Sequence, residues 1–191
     1  MIDTTKLVEI RWHGRGGQGP VTGAELLARA AIHEGKFAQA FPSFGPERRG
    51  APLLAFDRIS SNVPIRVRAE ITEPDVVVIL DSGLIKVVNV TSGLKEGGII
   101  IVNTKKSLGE MAGEFDKKWG LAVVDANKIA QEVLGVLIVN TTMLGALIRV
   151  AGVVKLESFD EPMQERFGRL AERNINAMKR AFQETKVKES K

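Results

Sequence analysis

Apolar and polar positions along the chain follow two alternating periodicities. Over residues 7–13, Leu7, Glu9, Arg11 and His13 alternate with Val8, Ile10 and Trp12, which predicts a half-buried strand. Beyond Pro20, apolar Val21, Ala24, Leu27 or Ala28, and Ala31 recur at helical spacing. Pro20 suits the first helical turn, where a missing N–H costs nothing. Residues 37–41 read as a second short strand ending at Pro42. Residues 53–59 and 63–69 read as two strands joined by Ser60-Ser61-Asn62, a connection short enough for a hairpin. Three continuous β-branched runs follow, at 76–80, 99–102 and 121–124, as expected of strands buried on both faces. Helices are expected between them, around 82–94 and 105–115. The final third is helical in pattern, over 127–134 and after Asn140-Thr141-Thr142, which is placed to cap a helix containing Met143, Leu144, Leu147 and Ile148. A last stripe runs from Pro162 through Phe167, Leu170, Ala171, Asn174, Ile175, Met178 and Phe182.

Strands alternating with helices argue for a parallel sheet covered on its faces. The expected fold is therefore α/β: a Rossmann-like three-layer sandwich with a mostly parallel sheet, some antiparallel strands and a C-terminal helical segment. At 191 residues the chain fits one domain, 1–191, and no repeat or low-complexity linker divides it. The tail, residues 186–191, reads as a frayed solvated end.

The first strand and first helix are joined by Gly14-Arg15-Gly16-Gly17-Gln18-Gly19. A glycine turn at a helix N-terminus presents backbone N–H groups and a positive dipole end, which suits an anion. Arg15 adds a cation, expected to be mobile. Gly14, Gly16 and Gly19 satisfy the G-x-G-x-x-G spacing of dinucleotide sites. The acidic residue expected roughly 20 positions on, for the ribose, is missing: residues 36–41 hold no carboxylate. A phosphate-bearing ligand other than a nicotinamide dinucleotide fits the loop; a turn serving only close strand–helix packing is the alternative. Polar residues also follow the later strands. Asp81 could line the same crevice, while Ser82, Thr104 and Asp125 read as helix caps.

Composition removes several chemistries. With no cysteine, the chain has no disulfide, no thiolate nucleophile and no thiolate ligand for zinc or an iron–sulfur cluster. Only His13 and His33 are present, which leaves no multi-histidine metal site. His33 ends the first helix as a surface or capping residue, and His13 either touches a ligand or makes a structural hydrogen bond. The net charge of +4 raises nucleic acid as a partner, but the basic residues are scattered and aromatic residues are only 5%, so no stacking platform emerges. No apolar run reaches the roughly 18 residues of a membrane span. Met1-Ile2-Asp3-Thr4-Thr5-Lys6 lacks the apolar core of a signal peptide, so a cytoplasmic location is expected.

Four stretches carry a family likeness: Ile10-Arg11-Trp12-His13-Gly14-Arg15-Gly16-Gly17-Gln18-Gly19; Gln39-Ala40-Phe41-Pro42-Ser43-Phe44-Gly45-Pro46-Glu47-Arg48-Arg49-Gly50-Ala51-Pro52; Pro74-Asp75-Val76-Val77-Val78-Ile79-Leu80-Asp81; and Asn140-Thr141-Thr142-Met143-Leu144-Gly145-Ala146. On these the chain resembles the gamma subunit of 2-oxoacid:ferredoxin oxidoreductases, most like the pyruvate enzyme. The resemblance implies a non-catalytic chain inside an assembly that converts a 2-oxoacid, coenzyme A and oxidised ferredoxin to acyl-CoA, carbon dioxide and reduced ferredoxin. Thiamine diphosphate, magnesium and the iron–sulfur clusters are then expected on partner subunits of alpha, beta and delta type. For Gly14, Arg15, Gly16, Gly17, Gln18 and Gly19 it implies binding of the coenzyme A phosphates. Phe44, Arg48 and Arg49 are assigned to subunit contact near the active site, or the arginines to a second phosphate contact. The remaining readings are the related indolepyruvate enzyme and a non-catalytic dinucleotide-binding module.

Overall fold

The computed structural model describes residues 2–43 and 49–190. Its sheet has seven strands in the order β2-β3-β1-β4-β5-β6-β7. They are β1 (Val8–Arg15), β2 (Phe37–Pro42), β3 (Pro52–Ser60), β4 (Val76–Ile79), β5 (Ile99–Asn103), β6 (Gly120–Val124) and β7 (Lys186–Lys188). β1, β4, β5 and β6 form a parallel centre, while β2, β3 and β7 join it through antiparallel ladders. The expected mixed, mostly parallel sheet with helices on its faces is what forms.

The β-branched runs divide residue by residue between two cores. Val76, Val78, Ile99, Ile101, Ala122 and Val124 face one side, where α1 (Pro20–His33), α3 (Ala126–Val133), α4 (Asn140–Ala151) and α6 (Ala171–Glu184) pack. Val77, Ile79, Ile100, Val102, Leu121 and Val123 face the other, against Leu84, Val90, Leu94 and Met111. Each such buried aliphatic side chain contributes about 1.5–3 kcal/mol relative to exposure. That explains why these strands read as unbroken apolar runs rather than alternating ones.

Several expected elements differ. Residues 63–69 do not form a strand. Both edges of β3 are already taken, by β1 and β2, so no edge is left for a hairpin partner. The segment is held instead by buried Arg58, whose guanidinium donates to the carbonyls of Val67 (3.4 Å) and Ala69 (2.9 Å). The helix expected over 82–94 reduces to a 3-10 turn at Ser82–Lys86, and that over 105–115 to α2 (Leu108–Met111) with a 3-10 turn at Ala112–Glu114. The second face is thus covered by short pieces. Ser107 caps α2 through a reciprocal box with Glu110, and Asp81 caps the 3-10 turn, so neither Thr104 nor Ser82 has the capping role expected of it. Asp125 does cap α3.

The C-terminal stripe is interrupted. α5 (Asp160–Phe167) ends at Gly168, whose φ of 51° breaks the path before α6. The tail is not frayed at its start: residues 186–188 are β7, paired antiparallel with β6. α4 and α6 cross so closely that a Cβ on Gly145 would overlap the Met178 carbonyl.

Among the described residues, one carboxyl group lies wholly inside. Asp57 is 0% exposed and accepts the Trp12 indole N–H at 2.7 Å. Burial pushes its carboxyl well above the usual range, opposed only by that hydrogen bond. The folded state therefore keeps a proton that the unfolded chain releases, and this contribution to stability falls as pH rises through and above the unfolded carboxylate pKa of about 3.9. Chemical denaturation of wild type and Asp57→Asn between pH of about 4 and 8 should show the variant gaining relative stability with rising pH. Parallel curves would contradict a protonated Asp57. In the same measurement at fixed pH, Gly145→Val should lose about 1–3 kcal/mol through overpacking at the α4–α6 crossing.

Candidate functional site

The crossover after β1 runs through α1 on one face, whereas the chain after β4 enters the opposite core through Leu84. Between the carboxyl ends of β1 and β4 the connections therefore diverge, which in open α/β sheets opens a crevice for ligands. Gly14 to Gly19 lie at this point.

The loop is built by close approach. A Cβ on Gly14 would stand 3.1 Å from the Pro20 ring, and Gly14 and Gly16 are buried. Gly16 donates its N–H to Ala51 O and accepts from Gly50 N–H, both at 3.0 Å, and forms a parallel bridge with Arg49. The Gln18 side chain folds back, its Oε1 accepting the Arg15 N–H at 2.8 Å. Gly19 is the N-cap of α1 at φ 78°, and a Cβ there would collide with the Asn140 amide. With glycine at the cap and proline at the first helical position, α1 has no side-chain cap. Among the described residues, the N–H groups of Gly17, Gly19, Val21 and Thr22 meet no acceptor. Gly17 is exposed, and Gln18 and Gly19 are partly so, which leaves these donors facing the crevice.

Arg15 is not the mobile cation expected. Its Nε donates to Asp81 Oδ2 at 2.6 Å and its Nη1 to Gly50 O at 3.2 Å. Gln18 Nε2 reaches the same carboxylate oxygen at 3.4 Å, and Gly83 N–H donates to the other at 2.8 Å. Burial alone would raise the Asp81 pKa, but the bonds from Arg15, Gly83 and Gln18 and the guanidinium charge outweigh it and hold the carboxyl below its usual value. Asp81 thus joins the crevice as the counter-charge to Arg15.

His13 sits beneath the loop and is closed to ligands. It is 4% exposed, and its Nε2 accepts the Arg11 Nε–H at 3.1 Å. Arg11 is itself anchored on the carbonyls of Val90 and Ser92. Burial, then the Arg11 charge, lower the His13 pKa to about 3. Of the structural and ligand readings of His13, the structural one holds. His33 pairs with Glu161 at 3.0 Å on the surface, far from any such network.

Arg49 is set beside Gly16 with its side chain exposed, while Phe44 and Arg48 lie outside the described residues. Asn140, expected as a cap, is instead the first residue of α4, buried against Gly19. Sequence spacing alone had no means of joining it to a loop more than a hundred residues earlier.

The site lacks the second half of a dinucleotide unit. β2, which follows α1, lies at the sheet edge with β3 inserted between it and β1. The strand end that carries the ribose carboxylate in dinucleotide folds is therefore not beside the loop, in keeping with the missing acid. Groups of three or more metal-binding side chains are also absent among the described residues.

Residues 9–184 match the family model described as pyruvate ferredoxin/flavodoxin oxidoreductase. The chain is 56% identical to the pyruvate/ketoisovalerate oxidoreductases common subunit gamma of Thermococcus kodakarensis, over 96% of this chain and 100% of that one. It is 49% identical to the pyruvate synthase subunit PorC of Methanothermobacter marburgensis, over 94% and 98%. The crystal structure of pyruvate oxidoreductase subunit PORC from Thermotoga maritima superposes with a TM-score of 0.85 at 39% identity, covering 96% of this chain and 99% of that one.

If the loop is held as described, Gly19→Ala forces a side chain into a left-handed backbone and into Asn140. A loss of about 1–3 kcal/mol is expected in thermal or chemical unfolding. In an NMR titration, the His13 ring should show no protonation between pH of about 5 and 8.

Proposed function

We propose a function from the premise that the chain belongs to the pyruvate ferredoxin/flavodoxin oxidoreductase family: it serves as the gamma subunit of a multisubunit 2-oxoacid:ferredoxin oxidoreductase, and its glycine loop seats the phosphates of coenzyme A. The substrate class is pyruvate or a branched 2-oxoacid such as ketoisovalerate, by analogy with the similar gamma subunits. The assembly joins 2-oxoacid, coenzyme A and oxidised ferredoxin into acyl-CoA, carbon dioxide and reduced ferredoxin. Its catalytic residues lie on partner chains of alpha, beta and delta type, in the cytoplasm. Among the described residues no helix is long and apolar enough to cross a membrane.

Thiamine diphosphate with magnesium and iron–sulfur clusters, all held by partners, supply the bond cleavage and electron transfer. This chain contributes binding and orientation. The observation that carries the reading is the set of N–H groups at Gly17, Gly19, Val21 and Thr22 that meet no acceptor among the described residues, at the start of a 14-residue helix and in the sheet's crevice. A phosphate there receives several backbone hydrogen bonds and the positive end of the α1 dipole. Arg15, already neutralised by Asp81, supplies the free edge of its guanidinium rather than an unbalanced charge. Coenzyme A fits better than a nicotinamide dinucleotide because it needs phosphate donors but no carboxylate at the ribose.

In the assembled complex, Arg15→Ala should raise the KM for coenzyme A roughly tenfold, the order expected for a charge-assisted hydrogen bond. The KM for the 2-oxoacid should stay unchanged in the same steady-state assay. An unchanged coenzyme A KM would count against the loop as its seat.

A further inference from the structure

Asn140 opens the 12-residue helix α4, on N-cap Val139, which supplies no side-chain hydrogen bond. Its side chain packs against Gly19 and comes within 3.7 Å of where a Cβ of Gly23 would stand. The first residue of α4 thus rests on the N-cap and first turn of α1. Two helix N-termini meet at one place, and each carries a partial positive charge of roughly half an elementary unit. Side by side they repel unless an anion lies between them.

The Asn140 amide is oriented by its neighbour. Its Oδ1 accepts the Thr141 N–H at 2.8 Å, which leaves the Nδ2 donor pointing the other way, toward Gly19. Among the described residues that NH2 group has no hydrogen-bond partner, although Asn140 is only 5% exposed. The donor itself is not among the fully buried unpaired atoms, so it keeps access to solvent and is open to a ligand. It faces the same loop whose backbone N–H groups at Gly17 and Gly19 are also unpaired.

We infer that Asn140 is a binding residue of the anion seat, donating its Nδ2–H to a phosphate oxygen held between the N-termini of α1 and α4. The inference rests on the phosphate reading of the glycine loop and extends it to a second helix. Its chemical consequence is selectivity for a phosphate group over a carboxylate. Donors converge from two helices and can engage oxygens on both sides of one phosphate group. Asn140 touches no reacting atom, so it acts on ligand affinity rather than on the chemical step.

The test uses the assembled oxidoreductase with Asn140→Asp, Asn140→Ala and Asn140→Ser in this chain, measuring kcat, both KM values and competitive inhibition by ADP. Asn140→Asp keeps the shape but replaces the donor with a negative charge. It should raise the coenzyme A KM and the ADP inhibition constant at least tenfold, with the 2-oxoacid KM and kcat at saturating coenzyme A unchanged. Asn140→Ser, which retains a donor, should bind both ligands more tightly than Asn140→Ala. If Asn140→Asp does not assemble, the serine–alanine comparison decides, and equal affinities overturn the proposal. Full coenzyme A and ADP affinity in Asn140→Asp, with weakened binding in Arg15→Ala, would remove Asn140 and leave the loop. Undiminished binding in both would remove the loop reading as well.

Discussion

Gly19 is the constraint on which the rest of the site depends. Its φ of 78° completes the glycine turn between β1 and α1, and the missing Cβ lets Asn140 close over it. Because the cap residue has no side chain and the next residue is proline, none of the described residues accepts from the N–H groups of Val21 and Thr22. The same residue choice that permits close packing therefore leaves N–H groups directed at the crevice. Close packing and free backbone donors are two consequences of one backbone geometry. A turn that serves close strand–helix packing is therefore compatible with a turn that receives a phosphate.

Charge around the loop is balanced rather than accumulated. Arg15 is fixed by Asp81 and Gly50 O, and the Gln18 side chain bonds both partners of that pair, accepting the Arg15 backbone N–H and donating to the Asp81 carboxylate. A free arginine would attract any anion, including those in bulk solution. A neutralised one leaves oriented dipoles as the main attraction, and such dipoles are strong only at short range and in the right geometry. Below the loop, Arg11 and His13 form a buried polar pair anchored on the carbonyls of Val90 and Ser92, with His13 Nδ1 left without a hydrogen-bond partner among the described residues.

The central strands were legible in the sequence because burial on both faces leaves an unbroken β-branched signature, and 76–80, 99–102 and 121–124 all carry it. Residues 63–69 show the limit of that signal. Their pattern allows a strand, but whether an edge is free to receive one depends on where β2 pairs, which local spacing does not encode. The helices over 82–94 and 105–115 shrank for a related reason: each contributes only a few apolar side chains to the second core, which a short turn delivers as well. The tail became a strand because β6 would otherwise expose its outer edge. At the candidate site, the turn over Gly14 to Gly19 between β1 and α1 was readable from glycine spacing and the flanking elements. Asp81 was visible only as a polar residue after a strand, and Asn140 only as a helix cap, since their roles arise where distant segments meet.

The central claim is that backbone donors at the start of α1 receive a phosphate of coenzyme A. Amide hydrogen exchange of the assembled complex, resolved over residues 16–23 with and without coenzyme A, tests it most directly. The account predicts slowed exchange at Gly17, Gly19, Val21 and Thr22 on coenzyme A addition, with residues 108–114 on the opposite face unaffected. Identical exchange across 16–23 with and without saturating coenzyme A would contradict it.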